Sequence, residues 1–117
     1  MVDFNIFKGD LWKYTLTVKE NGSVVDITGY TFYLTVKSDK TDLDSAAIIK
    51  DEFTPSDPTL GLVILQLTSA ETETLIVATS TTKYVYDIRM KNASGENVVL
   101  LSGELKVLQP ITRSTSI

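Results

Sequence analysis

The stretch Trp12-Lys13-Tyr14-Thr15-Leu16-Thr17-Val18-Lys19 alternates apolar and polar residues without a break. A period of two puts Trp12, Tyr14, Leu16 and Val18 on one face of a strand and the lysines and threonines on the other. Asn21-Gly22 follows at once, and both residue types tolerate positive φ, so a tight hairpin is predicted there. Ser23-Val24-Val25-Asp26 leads into Ile27-Thr28-Gly29, and a second alternation then sets Tyr30, Phe32, Leu34 and Val36 against Thr31, Tyr33, Thr35 and Lys37. A third sets Tyr84, Tyr86, Ile88 and Met90 against Val85, Asp87, Arg89 and Lys91. Three half-buried strands rich in β-branched and aromatic residues make this an all-β chain.

Other segments fill in around them. A short strand is predicted over residues 47–53, between a polar loop at 38–44 and a loop bracketed by Pro55 and Pro58. Leu62 to Leu67 is apolar on both parities except at Gln66, which predicts a strand covered on both sides or one near a sheet corner. Thr68-Ser69-Ala70-Glu71 has the form of a capping box, so a short helix should run from Ser69 to Leu75 or Val77, with Leu75 packed back on the sheet. After the turn Asn92-Ala93-Ser94-Gly95, the last strand spans Val98 to Leu108, and its parity shift predicts a bulge around Ser102-Gly103. About seven strands with one short helix in a chain of 117 residues fit an immunoglobulin-like β-sandwich, with a small β-barrel as the other solution. A single domain is expected over residues 1–113, with residues 1–8 as an N-terminal extension and 114–117 as a C-terminal tail.

Composition removes much chemistry. The chain has no cysteine and no histidine. Disulfides, thiol nucleophiles, Cys-ligated metals and Ser–His or Cys–His catalysis are therefore absent. A formal charge of −4 with two arginines argues against nucleic-acid binding. The longest apolar runs are four residues, too short to span a membrane, and residues 1–5 do not open a secretory signal. No cofactor, no metal and no small-molecule substrate are expected, and the chain is expected not to be an enzyme.

Several acidic and aromatic groups could mark a site. Asp39, Asp42 and Asp44 share a loop but lack the glycine and distal glutamate of an EF-hand, so they read as a solvated loop. Asp51 and Glu52 with Glu71 and Glu73 could be paired as acid and base, but nothing in their spacing sets the separation that glycoside hydrolysis needs. Asp87 and Arg89 read as a same-face ion pair. Trp12 and most tyrosines sit on core parities, whereas Tyr33, flanked by Thr31 and Thr35, is expected to be an exposed contact. Phe4-Asn5-Ile6-Phe7 reads as an edge strand or a docking segment.

Taken in order, the signals resemble a known family. Lys8-Gly9-Asp10-Leu11-Trp12 precedes the first long strand, and Gly22-Ser23-Val24-Val25-Asp26-Ile27-Thr28-Gly29 precedes the second. Leu67-Thr68-Ser69-Ala70-Glu71-Thr72 opens the helix, Tyr84-Val85-Tyr86-Asp87 the next strand, and Gly103-Glu104-Leu105-Lys106-Val107 and Ile111-Thr112-Arg113 close the chain. Together they resemble the immunoglobulin-like domains of tailed-phage structural proteins, of the type at the N-terminus of baseplate upper proteins. The resemblance implies a non-enzymatic virion component, a tail or baseplate adaptor. It would bind other virion structural proteins, itself oligomeric in the particle, with no nucleic acid, membrane or small-molecule partner. A capsid decoration protein is the alternative, and a carbohydrate-binding module using Tyr33, Trp12 and the Asp39–Asp44 loop is the alternative of another class. The sequence ends four residues after Arg113, which favours an adaptor or decoration subunit over a receptor-binding fibre. Phe4, Ile6, Phe7, Tyr33, Ile111, Arg113 and Ile117 are the expected partner contacts.

Overall fold

The computed structural model describes residues 2–38, 47–75 and 81–108. Among these residues are nine strands: β1 (Phe4–Phe7), β2 (Trp12–Thr17), β3 (Lys19–Glu20), β4 (Ser23–Val24), β5 (Thr31–Lys37), β6 (Ile49–Phe53), β7 (Leu62–Leu67), β8 (Thr81–Lys91) and β9 (Asn97–Leu108). One helix, α1 (Ser69–Glu73), follows β7. The main sheet has the order β1-β9-β8-β5-β6, and β2 pairs with β7 as a second layer. The last two long strands and β5 thus share one sheet while β2 and β7 form the other, an all-β, sandwich-like arrangement.

The alternations behave as their parity requires. On β5, Phe32, Leu34 and Val36 are buried, and their partners Tyr86 and Ile88 on β8 are buried too. On β2 and β7, Val63, Leu65 and Leu67 are buried, with Trp12, Tyr14 and Leu16 packed against the same core. The hairpin between β3 and β4 turns at Asn21 (φ 52°) and Gly22 (φ 81°), the positive pair that a two-residue turn matching strand twist demands. Thr68 and Glu71 close the expected capping box: the Glu71 amide donates to Thr68 Oγ1 at 3.2 Å and the Thr68 amide to Glu71 Oε1 at 3.0 Å. Leu75 is fully buried beyond the helix.

Three expectations need correction. The β7 strand is covered on one side only: Ile64 is 44% exposed, because β2–β7 is a two-stranded layer whose outer side meets solvent. The bulge lies two to three residues before Ser102-Gly103: Ile88 pairs with Leu101 and Arg89 with Val99, so Leu100 is the extra residue. Most consequential, residues 4–7 are not an extension. They form β1, which pairs parallel with β9 (Phe4 with Leu105, Ile6 with Val107). Ile6 is buried, and the Phe4 ring lies 5.1 Å from those of Trp12 and Tyr14 and 5.2 Å from that of Tyr86.

Gly103 explains how the N-terminus can lie so close. The Val2 amide donates to the Ser102 carbonyl at 2.9 Å, the Glu104 amide to Asp3 Oδ1 at 2.9 Å, and the Tyr86 hydroxyl to the Val2 carbonyl. A Cβ at position 103 would run into the Val2 carbonyl and come within 2.9 Å of Asp3 Oδ1. Backbone cannot yield as a side chain can, so Gly103→Ala should displace the first strand at a cost of ~1–3 kcal/mol. A thermal melt should show the loss, and limited proteolysis should cut newly near Lys8. An unchanged melt and cleavage pattern would refute this role for Gly103.

Candidate functional site

The sequence-predicted contact residues separate once folded. Phe4 and Ile6 belong to the core and are not left over for a partner. Phe7 is different: its side chain is on the opposite parity and 46% exposed, and Leu11, just past the turn in which the Asp10 amide donates to the Phe7 carbonyl, is 54% exposed. Tyr33 lies on the outward face of β5, as expected, and is half-buried among its neighbours. Ile111, Arg113 and Ile117 lie outside the described residues, as do Asp39, Asp42 and Asp44. Trp12 and Tyr33 cannot form one stacking platform. Trp12 packs inward from the second layer against Phe4 and Tyr14, whereas Tyr33 points away from the core on the main sheet. Among the described residues, no group of three or more Asp and Glu is placed to hold a metal.

The main sheet has two end strands, β1 and β6, and they differ chemically. Hydrogen bonds from the Val2 amide to Ser102 and from the Lys8 amide to Leu108 set the parity of β1. Even-numbered residues turn their main-chain groups toward β9, so Asn5 and Phe7 turn their amides away from it. β1 reads Phe-Asn-Ile-Phe and carries no charge. β6 carries Lys50, Asp51 and Glu52, and Asp51 falls on the core-facing parity between Ile49 and Phe53. Charged side chains on an end strand, here Lys50 and Glu52, resist edge-to-edge pairing. Among the described residues, β6 is therefore a guarded edge and β1 an unguarded one.

Asp51 meets Glu71 in a cleft between β6 and α1, lined also by Ile48, Ala70 and Thr74. Burial raises the Asp51 carboxyl to about 7, and the Glu71 carboxylate beside it adds to the shift. Burial alone would raise Glu71 as well, but hydrogen bonding from Asp51 and Thr68 outweighs it and holds Glu71 below its ordinary value. Asp51 Oδ2 is buried without a partner if both groups are ionised, and a proton on Asp51 turns it into a donor toward Glu71. This is the acid pair that the sequence allowed among Asp51, Glu52, Glu71 and Glu73. The docking of α1 beside β6 brings two of the four together, and Glu71 remains committed to its capping box.

The outward face of β5, β6, β8 and β9 carries Lys37, Lys50, Lys83, Arg89, Lys91 and Lys106 against Glu52, Asp87 and Glu104. The chain as a whole carries −4, so this face is opposite in sign to the molecule. Lys83 stands directly opposite Lys106, with Glu104 Oε2 4.0 Å from Lys83 Nζ. Asp87 and Arg89 share the face as expected, but Arg89 does not pair with Asp87.

Many residues carrying the family resemblance serve the fold. Thr72, buried on α1, donates through Oγ1 to the Asp10 carbonyl at 2.8 Å, joining the helix motif to the Lys8-Gly9-Asp10 turn. Asp26 accepts from the Thr28 amide at 3.0 Å and the Thr28 hydroxyl at 2.6 Å, which hold its carboxyl below the usual range. Tyr86 and Gly103 secure the N-terminus, and burial, with Asp3 and Tyr14 nearby, pushes the Tyr86 phenol up to about 12.

No family model matches the chain, and no curated protein sequence matches it. Among solved structures, it is similar to the N-terminal domain of phage TP901-1 ORF48, with TM-score 0.47 and 11% identity over 91% of this chain and 84% of that one. It is also similar to an uncharacterized protein from Bacillus anthracis str. Ames, with TM-score 0.47 and 13% identity over 87% of this chain and 76% of that one.

The carboxyl pair yields a pH signature. Between 3.8 and about 7 the folded chain keeps a proton on Asp51 that the unfolded chain has released. Folding takes up a proton there, so this contribution is full below the unfolded value and lost as pH climbs through about 7. Asp51→Asn supplies a permanent donor to Glu71. It should flatten the stability–pH curve over that range and add ~1 kcal/mol or less at pH 8, after discounting for solvent at the cleft mouth. Denaturant melts from pH 4 to 8 check this; an undiminished slope in the variant contradicts it.

Proposed function

We propose that the chain is a non-enzymatic structural subunit of a tailed-phage virion, an adaptor in the tail or baseplate that works through protein–protein contacts. The ordered motifs of the sequence support the class. The single observation that supports the mode of action is the uncharged, unguarded edge of β1 with Phe7 and Leu11 exposed beside it. An end strand with free main-chain groups can be completed by a strand from another chain, and an exposed aromatic at its margin adds an apolar anchor. In this reading oligomerisation and attachment to neighbouring virion proteins draw on that edge. A capsid decoration role uses the same physics and differs in copy number per particle, hundreds against tens or fewer.

The first test is direct. Removing residues 1–7 would delete Ile6 and Phe4 from the core, so an edge variant is the proper probe. Asn5→Lys combined with Phe7→Asp puts charge on the edge while leaving buried positions intact. In a phage that lacks its own copy of the gene and is supplied with the variant, the amount of subunit in purified particles should fall at least tenfold, with the isolated protein melting within a few degrees of the parent. Lys13→Glu, on the outer side of β2, should leave incorporation unchanged. Full incorporation of the edge variant would refute β1 docking, and absence of the parent chain from purified particles would refute the virion assignment.

A further inference from the structure

The outward face of the main sheet holds a groove of about 640 Å³. Its floor includes Thr35, Asp87 and Ser102, and its rim carries Tyr33, Lys37, Lys50, Arg89 and Lys91. Four basic side chains therefore surround one carboxylate on a chain whose net charge is −4. We propose that this groove is a docking site for an extended, carboxylate-rich segment of a partner polypeptide.

Charge complementarity is the first support. Basic groups gathered on one face of an acidic protein create a local potential opposite to its net field, and such a patch steers and orients an anionic partner. Spacing is the second. Arg89 and Lys91 lie two residues apart on β8, and a strand rises ~3.3 Å per residue, so their side chains leave the sheet ~6.6 Å apart. An extended peptide with acidic residues at alternate positions has the same repeat. Among the described residues, the side chains of Arg89 and Lys91 have no hydrogen-bonded or ion-paired partner, and both residues are exposed. The floor is the third support. Asp87 accepts hydrogen bonds, as a peptide's own N–H groups require. With one aromatic side chain on its rim, the groove lacks the stacking ladder that single-stranded nucleic acid uses. This site lies on the outward face of β5 and β8, apart from the β1 edge, and does not depend on the virion reading.

The probe is a fluorescein-labelled decaglutamate peptide titrated with the whole chain in 50 mM and 300 mM NaCl and read by anisotropy. Saturable binding is expected, weakened at least tenfold by the higher salt. Arg89→Gln with Lys91→Gln should weaken it at least tenfold, and Lys13→Gln on the other layer less than twofold. Backbone NMR of the unaltered chain supplies a readout that no folding defect can mimic: amide shifts should concentrate on β5 and β8. No binding at 50 mM NaCl, shifts confined to other strands, or an undiminished affinity in the double variant would each overturn the proposal. So would tighter binding of an oligothymidylate of equal length.

Discussion

The attachment of β1 to β9 is the constraint on which the rest of the structure depends. It is a parallel pairing between the two ends of the described chain, and it brings the Phe4 ring against Trp12 and Tyr14 of the second layer and Tyr86 of the first. Aromatic pairs at such separations contribute ~0.5–1.5 kcal/mol each beyond the area they bury. Because one ring touches both layers, β1 closes the sandwich at the side where β9 would otherwise be an open edge. Gly103 makes room for it, and Tyr86 and Asp3 hold its start through the hydrogen bonds at Val2 and Glu104.

This closure relocates the candidate interaction surface. Phe-Asn-Ile-Phe allowed either an edge strand or a docking segment outside the sandwich, because four residues are too few for their alternation to decide; the structure makes it an end strand. In the fold, half of it is core and half faces the free side of an end strand. The opposite end strand is built differently, with Asp51 turned inward against Glu71. A sheet with one guarded and one unguarded edge has a direction. The motifs that mark the family resemblance lie mainly beneath these surfaces, as caps, turns and close approaches.

Much of the fold was legible because its long strands follow period two strictly. The parities of Tyr14, Phe32 and Tyr86 sufficed to place the core, and Thr68 with Glu71 marked the helix start. What escaped was long-range. Nothing local to Phe4 shows that it will meet Trp12, and Gly103 inside a strand signalled an irregularity but not that it marks a close approach by Val2. Asp51 did carry a signal, since it sits on the apolar parity of Ile49 and Phe53, but its partner 20 residues on depends on where α1 docks. The basic outward face was equally hidden. Lys37, Lys50, Arg89 and Lys91 come from three strands that become neighbours only through the sheet order.

Hydrogen exchange of the isolated protein, resolved by NMR at single amides from Val2 to Lys8, tests most directly whether β1 is at once a core strand and an open edge. The amides of Phe4, Ile6 and Lys8 should exchange only with global unfolding, while those of Asn5 and Phe7 should exchange orders of magnitude faster. Uniformly fast exchange would mean that the first strand is not attached. Uniform protection would mean that its outer edge is already covered, and either result would contradict the structure of this edge.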